Sequence, residues 1–246
     1  ETGPEYTIQV ALLNDIATLT IDTSGGSLHK RGYRETAMVA PLKETLAAAM
    51  VDLSYWNKSR PLLDPLCGSG TIPIEAALIA RNVAPGIHRR FASEEWPQIA
   101  PQIWKQARVA AYQAIDYDVM PQIYGSDIDP EAIAVAKENA EKAGVDDCIR
   151  FEGADAASFH RDSEYGQLVT NPPYGERLLE KKEAEDLYRM FGAALRDLPP
   201  KWRVLVLSSH TEFERCFGRP ADKKRKLYNG MIKCDLFMYL GQQKKR

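Results

Sequence analysis

Hydrophobic and polar positions alternate at the start of the chain and then change to helical spacing. Residues 6–10 and 17–22 alternate as β-strands do, with Asn14-Asp15 between them, so they predict a small β-hairpin. Over residues 41–51 the apolar side chains recur on one helical face behind an opening proline. This second pattern predicts a helix that begins at Pro41.

Short apolar runs then alternate with helical patterns along most of the remaining chain. The runs predict strands at residues 62–66, 122–126, 149–152, 167–170 and 203–207, and the helical patterns lie at residues 72–81, 130–143 and 184–196. Such alternation is typical of a doubly wound, mostly parallel sheet. Residues 83–121 form an insertion that is expected to be helical from about Trp104.

The last two predicted strands differ from the others because they flank a hairpin dipeptide. Residues 226–229 and 232–240 surround Asn229-Gly230, which favours a two-residue turn between antiparallel strands. The expected fold is therefore α/β, with a seven-stranded sheet that ends in a C-terminal antiparallel hairpin. This is the strand plan of the class I, Rossmann-like methyltransferases.

Composition narrows the class of protein. With 246 residues and 44% hydrophobic content, the chain can bury one large α/β core with a small appendage. The 32 basic and 34 acidic residues exclude a uniformly basic nucleic-acid coat but allow a local basic face, such as residues 223–226.

Cysteine usage and hydropathy indicate the cellular compartment in which the protein is expected. Four scattered cysteines without paired spacing favour neither a zinc site nor a disulfide framework, so no metal is expected. The chain has no apolar run of membrane-spanning length and no signal-peptide pattern. A cytoplasmic protein is expected, and nothing in the sequence indicates a particular oligomeric state.

A glycine-rich loop follows the first predicted strand. Glycines let a ligand approach the backbone, and the next helix presents its positive end to a carboxylate. A phosphate-binding loop would require a lysine after the last glycine, and a dinucleotide-binding loop would require a third glycine where this chain has Pro73, so both are disfavoured. The candidate ligand-binding residues here are Asp64, Cys67, Gly68, Ser69, Gly70 and Thr71.

Acidic residues follow the next two strands. Asp127 can accept hydrogen bonds from both ribose hydroxyls of an adenosine, whereas Asp129 is expected to cap the helix that Pro130 begins. Asp155 could accept from an adenine amino group, although a surface turn is the competing interpretation.

The segment Asn-Pro-Pro-Tyr, residues 171–174, ends the fourth predicted strand. Two prolines cannot continue a β-ladder, so the Asn171 side-chain oxygen and the Pro172 carbonyl are left to accept hydrogen bonds. Two fixed acceptors can direct the lone pair of a planar exocyclic amine toward an electrophile, and Tyr174 could stack on the base. The alternative is a proline-rich turn without chemistry.

Several segments together resemble the RlmL-like RNA methylases. They are residues 28–34, 40–44, 63–71, 171–177 and 227–230. These proteins are similar to the THUMP-associated class I methyltransferases, which make N2-methylguanosine in ribosomal or transfer RNA. The resemblance implies S-adenosyl-L-methionine as cofactor and RNA as partner.

The resemblance also implies roles for individual residues. It places the methionine end of the cofactor near Asp64 and the loop of residues 68–70, the ribose on Asp127 and the adenine on Asp155. Ile128 and Ala156 adjoin these aspartates as further cofactor contacts. The target amine would lie on Asn171 and Pro172, and RNA contacts are expected from Arg31, Tyr33, Arg34, Arg177 and Asn229.

The resemblance further implies a domain division and a reaction. Residues 28–246 would be the methyltransferase domain, and residues 1–27 a hairpin and linker from an N-terminal RNA-binding THUMP region that this sequence lacks. The expected reaction is methylation of guanine N2, in 23S rRNA. An adenine-N6 DNA methylase and a non-catalytic RNA-binding module remain as alternatives, because the tetrapeptide does not choose among the exocyclic amines.

Overall fold

The computed structural model describes residues 3–34, 42–159, 162–175 and 178–241. A separate hairpin comes first, formed by β1 (Thr7–Leu13) and β2 (Ile16–Asp22). The other strands are β3 (Leu62–Asp64), β4 (Ile123–Asp127), β5 (Ile149–Gly153), β6 (Gln167–Thr170), β7 (Arg203–Ser208), β8 (Lys223–Asn229) and β9 (Ile232–Tyr239). The helices are α1 (Glu44–Leu53), α2 (Thr71–Ala80), α3 (Pro101–Gln113), α4 (Pro130–Ala143), α5 (Leu178–Ala194) and α6 (Phe213–Phe217).

Strands β3 to β9 form one seven-stranded sheet in the order β5-β4-β3-β6-β7-β9-β8. The first five strands of this order are parallel, and β9 pairs antiparallel with both β7 and β8. The predicted fold class is thus confirmed. Strand order reverses between β3 and β6, and an open α/β sheet binds its ligands at the carboxyl ends of the strands beside such a reversal.

Two apolar layers cover the sheet. On one face, α1, α2 and α4 contribute Leu46, Met50, Ile72, Ile74 and Ala140 to the core. The other face carries an aromatic layer from α5 and α6, in which Tyr188, Phe191, Phe213 and Phe217 pack against Phe237 and Tyr239 of β9. Both faces are therefore buried, and the edge formed by the strand ends is left for ligands.

Local sequence signals account for the ends of several elements. The Asp129 side chain accepts from the Glu131 backbone N–H at 2.9 Å, and Pro130 occupies the first turn, so the predicted cap of α4 is confirmed. Gly144 ends α4 in the left-handed conformation (φ 69°). The predicted hairpin between β8 and β9 is confirmed, but its two loop residues are Gly230 (φ 64°) and Met231, because Asn229 still pairs with Ile232.

Some element boundaries differ from the sequence prediction. Helix α1 begins at Glu44, and Pro41 lies outside the described residues. Helix α5 begins at Leu178, six residues earlier than the expected start at residue 184. The prediction missed this part because the residues just before 184 are charged and show no apolar periodicity. Strand β8 begins at Lys223 rather than residue 226, since a run of basic residues can occupy a solvent-exposed edge strand.

The β1–β2 hairpin lies outside the sheet and exposes a row of apolar side chains on one of its faces. Its exposed apolar residues include Ile8, Val10, Leu12, Leu19 and Ile21. It is held against the insertion by Tyr6, which stacks on Trp96 with ring centroids 4.8 Å apart. Among the residues that the structure describes, no helix has the length and apolar character needed to cross a membrane.

Candidate active site at the carboxyl edge of the sheet

The loop between β3 and α2 lies at the carboxyl edge of the sheet and exposes backbone at Gly68. Gly68 has a positive φ of 50°, and a side chain built on it would meet only open space. Gly70 is also left-handed and caps α2, and the Asn139 amide of α4 donates to the Ser69 carbonyl at 3.0 Å. The loop is therefore fixed from α4, while Gly68 leaves room for a ligand beside the backbone.

Asp127 lies directly across from this loop at the end of β4. Its carboxylate accepts from the Gly68 backbone N–H at 3.0 Å and from the Asp129 backbone N–H at 3.1 Å. These two bonds fix the orientation of the carboxylate. Because each carboxylate oxygen can accept more than one hydrogen bond, Asp127 keeps acceptor sites for a pair of hydroxyls.

The turn after β5 lies next to Asp127. The Asp127 carbonyl accepts from the Ala154 N–H at 3.0 Å, and the neighbouring Asp155 carboxylate accepts from the Ala157 N–H at 2.8 Å. Asp155 is exposed, as its competing interpretation as a turn residue also requires. Ile128, directly after Asp127, is 73% exposed, whereas Ala156 is buried, so Ile128 offers an exposed apolar side chain next to the end of β4.

Asp64 at the end of β3 is buried beneath the site. Its Oδ1 accepts from the Thr170 hydroxyl of β6 at 2.7 Å and from the Leu66 N–H at 3.3 Å. Burial raises the pKa of Asp64 to about 7 in spite of these hydrogen bonds, and the charge of Asp127 adds to the increase. With 2% of its surface exposed, Asp64 supports the site from below.

Cys67, Ser69 and Thr71 are more deeply placed than the sequence indicated. All three side chains are buried, and the Ser69 and Thr71 hydroxyls lie 3.2 Å apart. Burial raises the pKa of the Cys67 thiol, so this group stays uncharged. These residues can contact a ligand chiefly through their backbone.

The Asn-Pro-Pro-Tyr segment follows β6 and is held by a hydrogen bond that the sequence did not suggest. The Tyr174 hydroxyl donates to Asn171 Oδ1 at 2.6 Å. The Tyr174 ring also packs against the core on the α1 and α2 face of the sheet. The expected stacking surface is thus partly covered, and the hydroxyl of Tyr174 orients the oxygen proposed to accept the amine.

Side chains from the C-terminal hairpin and α5 support this segment. Asn229 and Cys234 are both buried and are hydrogen-bonded to Tyr174, whose pKa is raised by burial first and then by Cys234. The Tyr188 hydroxyl donates to the Pro173 carbonyl at 2.7 Å. Cys234 and Tyr188 were missed from the sequence, because each occupies an ordinary core position in its own element.

The expected RNA contacts require a correction. Arg31 pairs with Glu75 at 3.3 Å and Arg34 with Glu44 at 3.2 Å, and the side chains of these arginines are only 11% and 10% exposed. Tyr33 is buried and its hydroxyl donates to Glu75 at 3.0 Å. Buried pairing leaves these three side chains little surface for RNA, so they support the fold instead.

The other two expected RNA contacts have different outcomes. Asn229 is buried and bonded to Tyr174, so its side chain also serves the site from within. Arg177 lies outside the described residues. Among the predicted residues, the structure therefore brings together Gly68, Asp127, Asp155, Asn171 and Tyr174 with their neighbours on one edge of the sheet.

This arrangement fits the cofactor that the sequence implies. Gly68 provides an open approach to the backbone, Asp127 presents an oriented carboxylate, and Ile128, the residue after Asp127, adds an exposed apolar side chain. An open backbone, a carboxylate for hydroxyls and an apolar contact for a ring are what an adenosine-containing ligand needs. Within the described residues, no three His, Cys, Asp or Glu side chains are grouped as metal ligands would be.

Comparisons with known proteins place the chain in a family. The UPF0020 model, described as "RMKL-like, methyltransferase domain", matches residues 31–237. A relative in Bacillus subtilis, named "Putative RNA methyltransferase YpsC", is 50% identical over 239 residues, which make up 97% of this chain and 62% of that protein. "Ribosomal RNA large subunit methyltransferase K/L" of Shewanella baltica is 42% identical over 240 residues, or 96% of this chain and 34% of that protein.

Solved structures share the same domain. A protein from Listeria monocytogenes described as a predicted N6-adenine-specific DNA methylase has a TM-score of 0.89 and 49% identity, over 98% of this chain and 62% of its own. SMU.472, described as "a putative methyltransferase complexed with SAH" (S-adenosylhomocysteine), has a TM-score of 0.89 and 44% identity, over 100% of this chain and 64% of its own. The chain thus spans less than two thirds of these four proteins. It belongs to the RMKL-like methyltransferase domain family, and its cofactor is S-adenosyl-L-methionine.

Proposed function

We propose that this domain methylates the exocyclic N2 amine of a guanine in RNA, with 23S rRNA as the substrate. The observation that carries the proposal is the Asn171 oxygen, held by Tyr174 at the carboxyl edge of β6 beside the candidate cofactor loop. The Bacillus and Shewanella relatives are named for RNA and for ribosomal RNA of the large subunit, and these names support RNA as the substrate. The division into a hairpin and linker (residues 1–27) and a methyltransferase domain (residues 28–246) is part of the same proposal.

The residues of the site divide the binding tasks. Asp127 would accept from the ribose hydroxyls of the cofactor, Asp155 from its adenine, and Gly68 would border its methionine end. Bound S-adenosylmethionine supplies an electrophilic methyl group. Asn171 Oδ1 and the Pro172 carbonyl would accept the two hydrogens of the amine, which directs its lone pair out of conjugation with the ring.

The proposed reaction requires the site chiefly to position the amine against the methyl group. Transfer to an amine requires an in-line approach and the exclusion of water, and neither requires a covalent intermediate on the enzyme. Because the amine is reached only when the base leaves its stack, a single-stranded or deformable RNA segment suits this edge. Tyr174 can contact the extruded base only with the part of its ring that the core leaves open.

An adenine-N6 methylase acting on DNA is the second candidate, since the Listeria protein is described in those terms. The two are separated by offering isotopically labelled methyl donor with large-subunit rRNA or duplex DNA and identifying the methylated nucleoside by mass spectrometry. N2-methylguanosine from RNA supports the proposal. N6-methyladenine as the sole product would overturn it.

The role of Asn171 gives a sharper test of the chemistry. Asn171→Ala should lower single-turnover methylation by roughly two to three orders of magnitude, the usual cost of losing one preorganised polar partner, while cofactor affinity stays the same. Asn57→Ala is the matched control, because Asn57 lies in a turn before β3 at the opposite edge of the sheet. Transfer by Asn171→Ala at the parent rate would reduce the segment to a turn.

A further inference from the structure

The tip of the β8–β9 hairpin extends past the carboxyl edge of the sheet. Ser208, the last residue of β7, pairs with Asp235, so β9 continues for three residues beyond β7 before the turn. At about 3.3 Å per residue the tip reaches roughly 10 Å past β7. Buried Asn229, at the base of the turn, is hydrogen-bonded to Tyr174. The tip is therefore attached directly to the proposed amine site.

The outer surface of this tip combines an aromatic ring with cations. Tyr228 is 55% exposed and Met231 is 97% exposed. Lys226 Nζ lies 5.7 Å from the centroid of the Tyr228 ring, and Lys233 is the cross-strand partner of Tyr228. Both lysines are exposed, so their charges are available beside the ring.

The charge of the hairpin favours an anionic partner. From residue 223 to residue 239 the sequence contains five basic residues and one acidic residue, Asp235, which lies across from Lys226. Lys224 is already paired with Glu214 at 2.7 Å, away from the tip. One carboxylate against Lys226 and Lys233 leaves the tip positive, as contact with phosphate requires.

Basic residues also protect an edge strand from pairing with other strands, and β8 is such an edge. That role accounts for Lys223 to Lys226 but requires neither an exposed Tyr228 nor an exposed Met231 at the tip. An exposed aromatic ring flanked by cations is the combination that binds single-stranded nucleic acid by stacking and phosphate contact.

We propose that the hairpin tip binds the nucleotide next to the target base in the RNA, with that base stacked on Tyr228 and the adjoining phosphates near Lys226 and Lys233. The inference rests on the proposed function, because it places a second nucleotide beside the one at Asn171. It assigns the hairpin two roles, with Asn229 holding Tyr174 on its inner face and Tyr228 engaging RNA on its outer face.

The test measures both RNA affinity and methyl transfer. For Tyr228→Ala, the affinity for a fluorescein-labelled single-stranded rRNA fragment should fall by about five- to hundredfold, the effect of losing one base stack. Single-turnover methylation at subsaturating RNA should fall by the same factor. Tyr228→Phe should restore the parent affinity, since it keeps the ring.

Tyr55→Ala is a closely matched control. Tyr55 is 74% exposed and has the Arg203 guanidinium 5.7 Å from its ring, but Arg203 begins β7 at the opposite edge of the sheet. Thermal unfolding and cofactor affinity should match the parent for both alanine variants. Equal RNA affinity for Tyr228→Ala and Tyr55→Ala would overturn the proposal.

A second measurement addresses the lysines. Replacing Lys226 and Lys233 together by Gln should make the dependence of RNA affinity on salt concentration shallower by about one to two phosphate contacts. An unchanged salt slope would contradict their assignment. If the parent protein binds RNA through Tyr228 but forms no methylguanosine, the proposed reaction is wrong and the hairpin proposal stands. If the parent protein methylates RNA and Tyr228→Ala has no effect on RNA affinity, the hairpin proposal is wrong and the proposed reaction stands.

Discussion

At the scale of single residues, the Tyr174 hydroxyl has the most direct influence on the proposed chemistry. It donates to Asn171 Oδ1 at 2.6 Å, and it is itself held by Asn229 and Cys234. A free asparagine side chain can rotate, whereas this one is fixed before a substrate arrives. Preorganisation of this kind lowers the cost of aligning an acceptor with the reacting amine.

Tyr174→Phe tests that positioning role, because it removes the hydroxyl and keeps the ring. Loss of one neutral hydrogen bond, worth about 0.5 to 1.5 kcal/mol, should lower single-turnover methylation roughly two- to tenfold with cofactor affinity unchanged. Tyr239→Phe is the control, because the Tyr239 hydroxyl donates to the Arg219 carbonyl and not to Asn171. Parent activity in Tyr174→Phe would show that the hydroxyl is not needed to orient Asn171.

Asp64 gives a residue-level prediction about pH. Its pKa is about 7 in the fold against an ordinary 3.8, so the folded protein binds this proton more tightly than the unfolded chain does. The Asp64 contribution to the free energy of unfolding is therefore largest below about pH 4 and is lost as the pH rises to about 7. At about 1.4 kcal/mol per pKa unit, the loss amounts to a few kcal/mol.

Urea unfolding between pH 4 and pH 8 can isolate this contribution by comparing the parent with Asp64→Asn. The variant keeps an oxygen for the Thr170 hydroxyl but cannot ionise, so its stability should fall less over this range. If the two curves of unfolding free energy against pH run parallel, the raised pKa of Asp64 is wrong.

At the scale of elements, we expect the end of β4 to serve cofactor binding and the start of α4 to serve stability, although the two residues concerned are only two positions apart. Asp127 orients toward the Gly68 loop, and Asp129 caps α4. Asp127→Ala should weaken S-adenosylmethionine binding by about 1 to 3 kcal/mol, as expected when polar partners lose their acceptor. Calorimetric titration of the cofactor measures this directly.

Asp129→Ala provides the counterpart to that experiment. Loss of an N-cap should lower the free energy of unfolding by about 1 kcal/mol, while the Asp129 backbone N–H still donates to Asp127 and cofactor affinity persists. Equal cofactor affinity in Asp127→Ala and the parent would remove Asp127 from the ribose site.

Two buried ion pairs connect the segment before α1 to the helices. Arg31 reaches Glu75 of α2, and Arg34 reaches Glu44 of α1 and also Thr71 at 3.4 Å. Burial raises the pKa of Glu75, which Arg31 and Tyr33 oppose. The basic residues that resemble an RNA-binding segment in sequence therefore link the cofactor loop to the N-terminal segment.

At the scale of the whole molecule, the sheet could be predicted from the sequence because its parallel strands are short runs with apolar centres that alternate with helical patterns, and because β3, β4 and β5 end in Asp or Gly. The partners of individual side chains could not be predicted, because Arg31 and Arg34 look the same in sequence whether they face RNA or a buried glutamate. Similarly, α6 spans only five residues, too few for a helical periodicity to emerge. Exposure depends on tertiary packing, which the local pattern does not encode.

The hydrogen bond between Thr170 and Asp64 connects residues 106 positions apart. The proposed cofactor side of the site, on β3, β4 and β5, lies between residues 62 and 155, whereas the proposed amine acceptors and their supports lie between residues 170 and 234. During synthesis the cofactor side emerges from the ribosome first. Strand β6, which directly precedes Asn171, must then insert beside β3, so a nascent chain ending at β5 would contain the proposed cofactor residues and no proposed acceptor for the amine.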